Sequence, residues 1–166
     1  MLKITPFLWF DSQAEPAAEL YVSLFPNSRI TRVARYPNDA SQATPADVMT
    51  VEFELDGLPV TALNAGPTFR LSEAFSFVIH CDGQEEVDRY WTALTADGGQ
   101  ESQCGWLKDR FGLSWQVTPR QLVEMTTITD REAAGRAFQA MMGMKKIDIA
   151  AMRAAYNGET PKITSN

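Results

Sequence analysis

The apolar positions of this chain change their spacing in the same order twice. "TPFLWF" (5 to 10) is a β-leaning run. Directly after it Ser12 and Glu15 stand at the spacing of a helix capping box, and Ala17, Leu20, Tyr21 and Leu24 recur at i, i+3, i+4 and i+7. The pattern predicts a strand, a turn and an amphipathic helix that "FPNS" (25 to 28) brings to an end. Seventy positions on, "FSFVIHCDGQEEVDRYWTALTADGG" repeats it, with Asp82 and Glu85 as the box and Val87, Tyr90, Trp91 and Leu94 as the stripe. Strand, cap, stripe and terminator recur in order, which points to an internal duplication.

Three strand candidates follow each helix. After the first come 28–36, 48–55 and 58–64, the last two joined by Asp56-Gly57, a strong hairpin signal. After the second come 99–104, 105–110 and 113–118, with Phe111-Gly112 between the last two. The expected class is α+β: one domain over 1–119 made of two tandem βαβββ units, about 3–66 and about 73–119. The polar stretch 37–47, "PNDASQATPAD", lengthens the first unit as a lid or contact arm.

The remainder is expected to be a helical tail over 120–158, with 159–166 disordered. Thr129 and Glu132 make a third capping box, Phe138, Met141 and Met142 an apolar face, and Ile149, Met152 and Tyr156 a second short helix ending at Gly158. Methionine stripes usually pack, so these helices are expected to cover a sheet or a subunit boundary rather than to bind a cofactor.

Composition narrows the function. The 15 basic and 21 acidic residues give a net charge of −6, and no Lys/Arg cluster offers to neutralise phosphates, so nucleic acid is not an expected partner. No stretch approaches the roughly 20 apolar residues of a spanning helix, and Pro6 and Asp11 interrupt the early apolar run. The expectation is a cytoplasmic protein without a membrane partner. Cys81 and Cys104 form no CxxC pair and read as free thiols.

Two tandem βαβββ units containing "LWF", "AELYVSLFPNS", "ALNAGP", "FSFVIHCDGQEEVDRYW" and "CGWLKDRFGLSWQV" resemble the vicinal-oxygen-chelate superfamily of glyoxalases, extradiol dioxygenases and drug-sequestering proteins. Within it the match is to the PhnB-like branch, whose members often carry the name 3-demethylubiquinone-9 3-methyltransferase. The resemblance implies two sheets forming a cup, with helices on the convex side and a ligand or metal inside. It also implies homodimers, here with the tail helices or the 37–47 loop reaching across the two-fold axis and with Phe138, Met141 and Met142 among the buried side chains.

Period-two alternation then sorts the strands. Leu113, Trp115 and Val117 suit the helix side, leaving Ser114, Gln116 and Thr118 toward the cup. Phe75, Phe77 and Ile79 are expected against helices, with Ala74, Ser76, Val78 and His80 toward the cup or its rim, and Thr5, Phe7 and Trp9 face it from the first strand. Metal-dependent members of the superfamily draw His or Glu from the first, fourth, fifth and eighth strands. The corresponding positions here hold no acid or imidazole: residues 1–10 contain none, the fourth strand offers Thr61 or Asn64 depending on register, the fifth offers Ser76, and the eighth offers Gln116. Neutral side chains bind a divalent ion weakly, so neither metal nor other cofactor is expected.

The sequence reading is therefore a metal-independent protein that holds a small, partly apolar molecule, with Trp9, Thr61, Asn64, Phe69, Ser76, Cys104, Trp106 and Gln116 as candidate ligand contacts. Whether any reaction is catalysed is left open, with no catalytic residue assigned. Three alternatives stand beside it. One is a metal-dependent lyase or dioxygenase using displaced ligands among Glu52, Glu54 and His80. The second is the methyltransferase of the inherited name, although "DSQAEP" after the first strand lacks the glycine-rich turn of conventional S-adenosylmethionine enzymes. The third is an interaction module whose cup is filled by aromatics. Glu52 with Glu54 also reads as a general-base pair or a solvated face, and Cys104 as a nucleophile or an inert thiol.

Overall fold

The computed structural model describes residues 3–37, 47–127 and 129–159. Positions 38–46 of the expected loop and 160–166 of the expected disordered end lie outside the described residues. The chain divides between Ser72 and Glu73 into two compact units.

The first unit contains β1 (Phe7–Phe10), α1 (Ala14–Leu24), β2 (Arg29–Arg35), β3 (Val48–Leu55) and β4 (Leu58–Asn64). Its sheet runs β1-β4-β3-β2, with β1 parallel to β4 and the other pairs antiparallel. The second unit opens with β5 (Ser76–Cys81), α2 (Gln84–Thr95), a 3₁₀ turn (Ala96–Gly98), β6 (Gln100–Glu101), β7 (Trp106–Lys108) and β8 (Ser114–Pro119). Its sheet runs β5-β8-β7-β6, again with the first pair parallel. The α+β class and the duplicated βαβββ order are both present. Buried Leu8 and Phe10 correspond to buried Ile79 and Cys81 at an offset of 71, whereas the helix stripes match at 70, because the second strand–helix turn is one residue shorter.

Alternation explains the core of each sheet. Val51, Phe53, Leu55, Val60 and Ala62 are buried with Leu8 and Phe10 beside α1, and Leu113, Trp115 and Val117 with Ile79 beside α2. The α2 stripe is the expected Val87, Tyr90, Trp91 and Leu94. In α1 the buried stripe is instead Ala14, Ala17, Ala18 and Tyr21, and Leu20 and Leu24 are only partly buried. Small residues let the helix sit close to the sheet and push the bulkier leucines to the margin. Phe75 departs from its expected packing: it precedes β5, is 43% exposed and meets Phe77 edge-on at 5.3 Å. The β3–β4 turn has positive φ at both Asp56 (47°) and Gly57 (81°), as a two-residue type I′ hairpin requires.

None of the three capping boxes forms as the sequence suggested. The N-cap of α1 is Gln13, with no side-chain cap of its own, and the Ala14 amide donates to Asn64 Oδ1 at 2.8 Å. The N-cap of α2 is Gly83, and Glu86 rather than Glu85 reaches back to the Asp82 amide, at 2.9 Å. Asp130, not Thr129, caps the first long tail helix, accepting from the Glu132 and Ala133 amides at 3.1 and 3.0 Å.

Among its described residues the tail holds three helices where two were expected: α3 (Arg120–Thr127), α4 (Arg131–Met142) and α5 (Ile149–Tyr156). α3 follows β8 without a turn signal, which is why periodicity missed it. Met125, Ala137, Ile147 and Met152 form the tail's own core, with Leu122, Met141, Met144 and Tyr156 against it. Arg136 ties α4 to the end of α5, its Nε donating to Ala155 O at 3.1 Å and its NH2 to Tyr156 O at 2.7 Å. The tail is docked within the second unit. Cys104 and Gly105 donate their amides to Met144 O (2.8 Å) and Lys145 O (2.7 Å), and the Gln84 side chain bridges Ile147 O and the Ile149 amide. Phe138 and Met142, expected among the buried side chains of a dimer, are 46% and 51% exposed on the single chain. No helix among the described residues is long and apolar enough to cross a membrane.

Candidate functional site

Each sheet has one face packed on a helix and one face without. In the first unit the register aligns Phe7, Thr61, Glu52 and Arg32 across the open face, and Trp9, Leu63, Thr50 and Ala34 in the next row. Phe7 is 60% exposed. Trp9 is fixed in place by its indole N–H, which donates to Gly66 O at 2.8 Å, and Phe69 stands edge-on to its ring at 4.9 Å. Trp9 and Phe69, two of the candidate contacts, are thus in ring contact with each other. Both glutamates of β3 carry arginine partners: Glu52 has Arg32 at 3.6 Å and Glu54 has Arg29 at 3.0 Å.

The open face of the second sheet aligns Val78, Gln116 and Trp106 in one row and Ser76, Ser114, Lys108 and Gln100 in the next. Gln116 Nε2 donates to Ser76 Oγ at 2.9 Å. The two positions where the family resemblance placed metal ligands on β5 and β8 are therefore hydrogen-bonded to each other through neutral groups. That bond uses neither the Gln116 amide oxygen nor the Ser76 hydroxyl proton. Thr61 and Gln116 hold the same register position in the repeated sheets, since Thr61 pairs with Phe7 as Gln116 pairs with Val78.

Two candidates turn elsewhere. Even-numbered positions of β4 face the helix, so the register puts Thr61 on the open face and Asn64 under α1. The Asn64 amide is engaged by the fold at both ends, accepting from Ala14 N at 2.8 Å and donating to Val48 O at 3.0 Å. Cys104, at a positive φ of 58°, lies beside α4, its sulfur 3.6 Å from that of Met142. His80 is exposed near the end of β5. Among the described residues no three His, Cys, Asp or Glu side chains converge as a metal site would need.

The thiols differ in environment. Cys81 is fully buried, and loss of solvation, with Glu86 adding to it, pushes its pKa up to about 12. A thiol reagent at pH 8 is expected to modify Cys104 alone in the native protein and both cysteines after denaturation. The unfolded Cys81 thiol ionises near 9 and the folded one near 12, so the unfolded state loses its proton first. Stability is then expected to fall as pH rises from 9 toward 12, with a shallower fall in Cys81→Ala, as measured by urea unfolding.

Sequence reasoning missed Asp109. It is 3% exposed and accepts three hydrogen bonds, from Phe111 N at 2.8 Å, Leu113 N at 3.1 Å and Trp115 Nε1 at 2.8 Å. Its backbone closes the same turn, Asp109 N donating to Leu113 O and Gly112 N to Asp109 O. The signal was available: an Asp two residues before a turn amide, in "KDRFG", is a common side-chain-to-backbone motif. Asp109 fixes the hairpin that carries Trp106, Lys108, Ser114 and Gln116.

The chain was compared with known proteins. A family model described as 3-demethylubiquinone-9 3-methyltransferase matches residues 2–118. Among solved structures, the PhnB protein of Bacillus cereus is 31% identical over 71% of this chain and 99% of its own, with a TM-score of 0.65. Protein PA1353 of Pseudomonas aeruginosa, 21% identical over 72% and 98%, has a TM-score of 0.56. The genomically encoded fosfomycin resistance protein FosX of Listeria monocytogenes, 15% identical over 75% and 97%, has a TM-score of 0.52 and shares the fold. No curated protein matches the chain. With the duplicated βαβββ order and a family match across both units, the chain belongs to the 3-demethylubiquinone-9 3-methyltransferase-like (PhnB) family of the vicinal-oxygen-chelate superfamily.

Proposed function

We propose that this protein binds a small, partly apolar molecule without a metal ion, in the cup that the superfamily resemblance implies. The observation that carries the reading is the hydrogen bond from Gln116 to Ser76, a neutral pair at the positions where metal-dependent relatives are expected to hold His or Glu. A neutral amide and hydroxyl orient a polar group of a ligand but compete poorly for a divalent ion. Val78 and Trp106, which share the row of Gln116, supply apolar area, so this face of the second sheet offers apolar surface with few polar groups, as small-molecule sites generally do.

Methyl transfer, which the family name describes, has less support from the residues. The β1–α1 turn, Asp11 to Gln13, has no glycine, and the Ala14 amide, the first of α1, is taken by Asn64. The mixed sheets also differ from the doubly wound parallel sheet of conventional S-adenosylmethionine enzymes. The same reading makes the protein a cytoplasmic homodimer, with exposed Phe138 and Met142 of α4 as candidates for the subunit contact.

Elemental analysis of protein purified without a chelating tag is the test. The expected result is no stoichiometric Zn, Ni, Mn or Fe, and no binding of S-adenosylmethionine by calorimetry. In a thermal-shift screen of small amphiphilic compounds, any hit is expected to lose about tenfold in affinity in Gln116→Ala, the scale of one hydrogen bond, and to change the fluorescence difference between wild type and Trp9→Phe. Stoichiometric metal overturns the reading, and so does S-adenosylmethionine binding.

A further inference from the structure

A row of polar side chains crosses the open face of the second sheet, and two of its members are not accounted for by folding. Gln100 pairs with Lys108, Lys108 with Ser114 and Ser114 with Ser76, so all four share one side of the sheet. Beside the row lies a cavity of about 130 Å³ lined by Glu73, Gln100, Ser102, Trp106, Lys108 and Ser114. That is well above the roughly 10–15 Å³ one water needs.

Ser114 is 1% exposed, and its hydroxyl has no hydrogen-bond partner among the described residues. A buried hydroxyl left unpaired is destabilising, and native proteins seldom retain one without a use. Its cross-strand neighbour Lys108 brings an ammonium group to the same cavity, with a side chain only 30% exposed. The partner of that ammonium is Glu73 at 2.5 Å, whose side chain is 67% exposed and which lies in the segment before β5. The Lys108 ammonium holds the Glu73 carboxyl below the usual carboxylate range. The other acid at the cavity does not compete for Lys108. Glu101 pairs with Leu107 on the opposite side of the sheet, where it accepts from Trp91 Nε1 at 2.8 Å and faces Lys145 at 3.4 Å.

We infer that Lys108 and Ser114 form a subsite for an anionic oxygen group of the ligand, a carboxylate or a phosphoryl group, with the Glu73 carboxylate holding its place in the free protein. On binding, the ligand oxygen replaces Glu73 at Lys108 Nζ and accepts the Ser114 hydroxyl proton, so both unexplained groups are satisfied at once. An exposed ion pair contributes little stability, so a buried anion with a second hydrogen bond displaces it readily. Trp106 and Gln116, in the neighbouring row, would then meet the apolar and polar parts of the same molecule. The inference rests on the ligand-binding reading above and adds the charge of the ligand to it.

The test is an amide NMR titration of the intact protein with inorganic phosphate and, separately, with acetate, ionic strength being held constant with sodium chloride. Saturable shifts at Lys108, Ser114 and Gln100 are expected for at least one anion, and the one that binds identifies the group as phosphoryl or carboxylate. Lys108→Met is expected to weaken binding by tenfold or more and Glu73→Gln to tighten it about two- to five-fold, because the competing carboxylate is gone. Ser114→Ala is expected to weaken binding while leaving the melting temperature unchanged or raised, an outcome a structural serine would not give. Absence of saturable shifts with both anions overturns the subsite, as does equal affinity in Lys108→Met or weaker binding in Glu73→Gln. Failure of the titration in metal-free protein overturns the subsite alone, whereas metal found by elemental analysis overturns the reading beneath it.

Discussion

Asp109→Ala is expected to lower the unfolding free energy by about 3–4 kcal/mol, measured by urea denaturation followed by circular dichroism. The carboxylate accepts from two backbone amides and one indole, and both Leu113 and Trp115 are buried, so water cannot replace it at those donors. Asp109→Asn separates the contributions. An asparagine keeps one oxygen for the Phe111 and Leu113 amides but sets an NH₂ against the Trp115 indole, so roughly half the loss is expected. A loss below 1 kcal/mol in the alanine variant would mean that the hairpin is held mainly by its ladder. Because the hairpin carries Gln116 and Trp106, the alanine variant is also expected to lose any ligand identified by the thermal-shift screen.

Truncation after Pro119 is expected to leave a chain that aggregates or lacks cooperative unfolding. The cut removes the acceptors of the Cys104 and Gly105 amides and uncovers Gly105, against which Ile147 sits so closely that an added Cβ would lie 3.1 Å from its Cγ1. Gly105 also has φ of 83°, so no larger residue can fill the space that Ile147 leaves. Ile147→Ala tests the same contact more gently. Ile147 is fully buried, and its truncation is expected to cost about 2–5 kcal/mol while the native fold persists. A truncated protein that remains soluble and melts cooperatively at the wild-type temperature would show that the tail is an appendage.

The strands were legible because their signals are local. Alternation in "VMTVEFEL" and "LSWQVT", and Asp-Gly between β3 and β4, set element type and hairpin, while the register of β4 stayed open between Thr61 and Asn64. The same alternation placed Gln116 toward the cup and Ser76 toward the cup or its rim, and their contact depends on the parallel pairing of β5 with β8. The start of α1 was not legible, because the group that satisfies its first amide comes from far along the chain, Asn64 serving Ala14 from fifty residues away, whereas α4 takes a local cap one residue beyond the expected Thr129. A capping box states only that a local partner is possible. The fate of Asn64 as a candidate contact was decided by the pairing of β4 with β1 and β3, which puts Thr61 and Asn64 on opposite faces. Cys104 lies in the turn before β7, at a positive φ of 58°, where strand alternation does not apply. The Lys108–Ser114 pair was within reach of period-two reading, but the lack of a partner for Ser114 depends on its surroundings in three dimensions.

The docking of residues 144–149 also orders events in time. The first unit completes its sheet when β4 pairs with β1, and every strand it needs has been synthesised by residue 64. The second cannot do the same at the end of β8, because Gly105 and Gln84 still await backbone partners some forty and sixty residues downstream. A chain emerging vectorially would therefore settle its first half early and hold its second half open until the last helices appear. In pulse-labelled refolding, amides of β3 and β4 should accordingly gain protection before those of Cys104 and Gly105, although the two units repeat one order of elements.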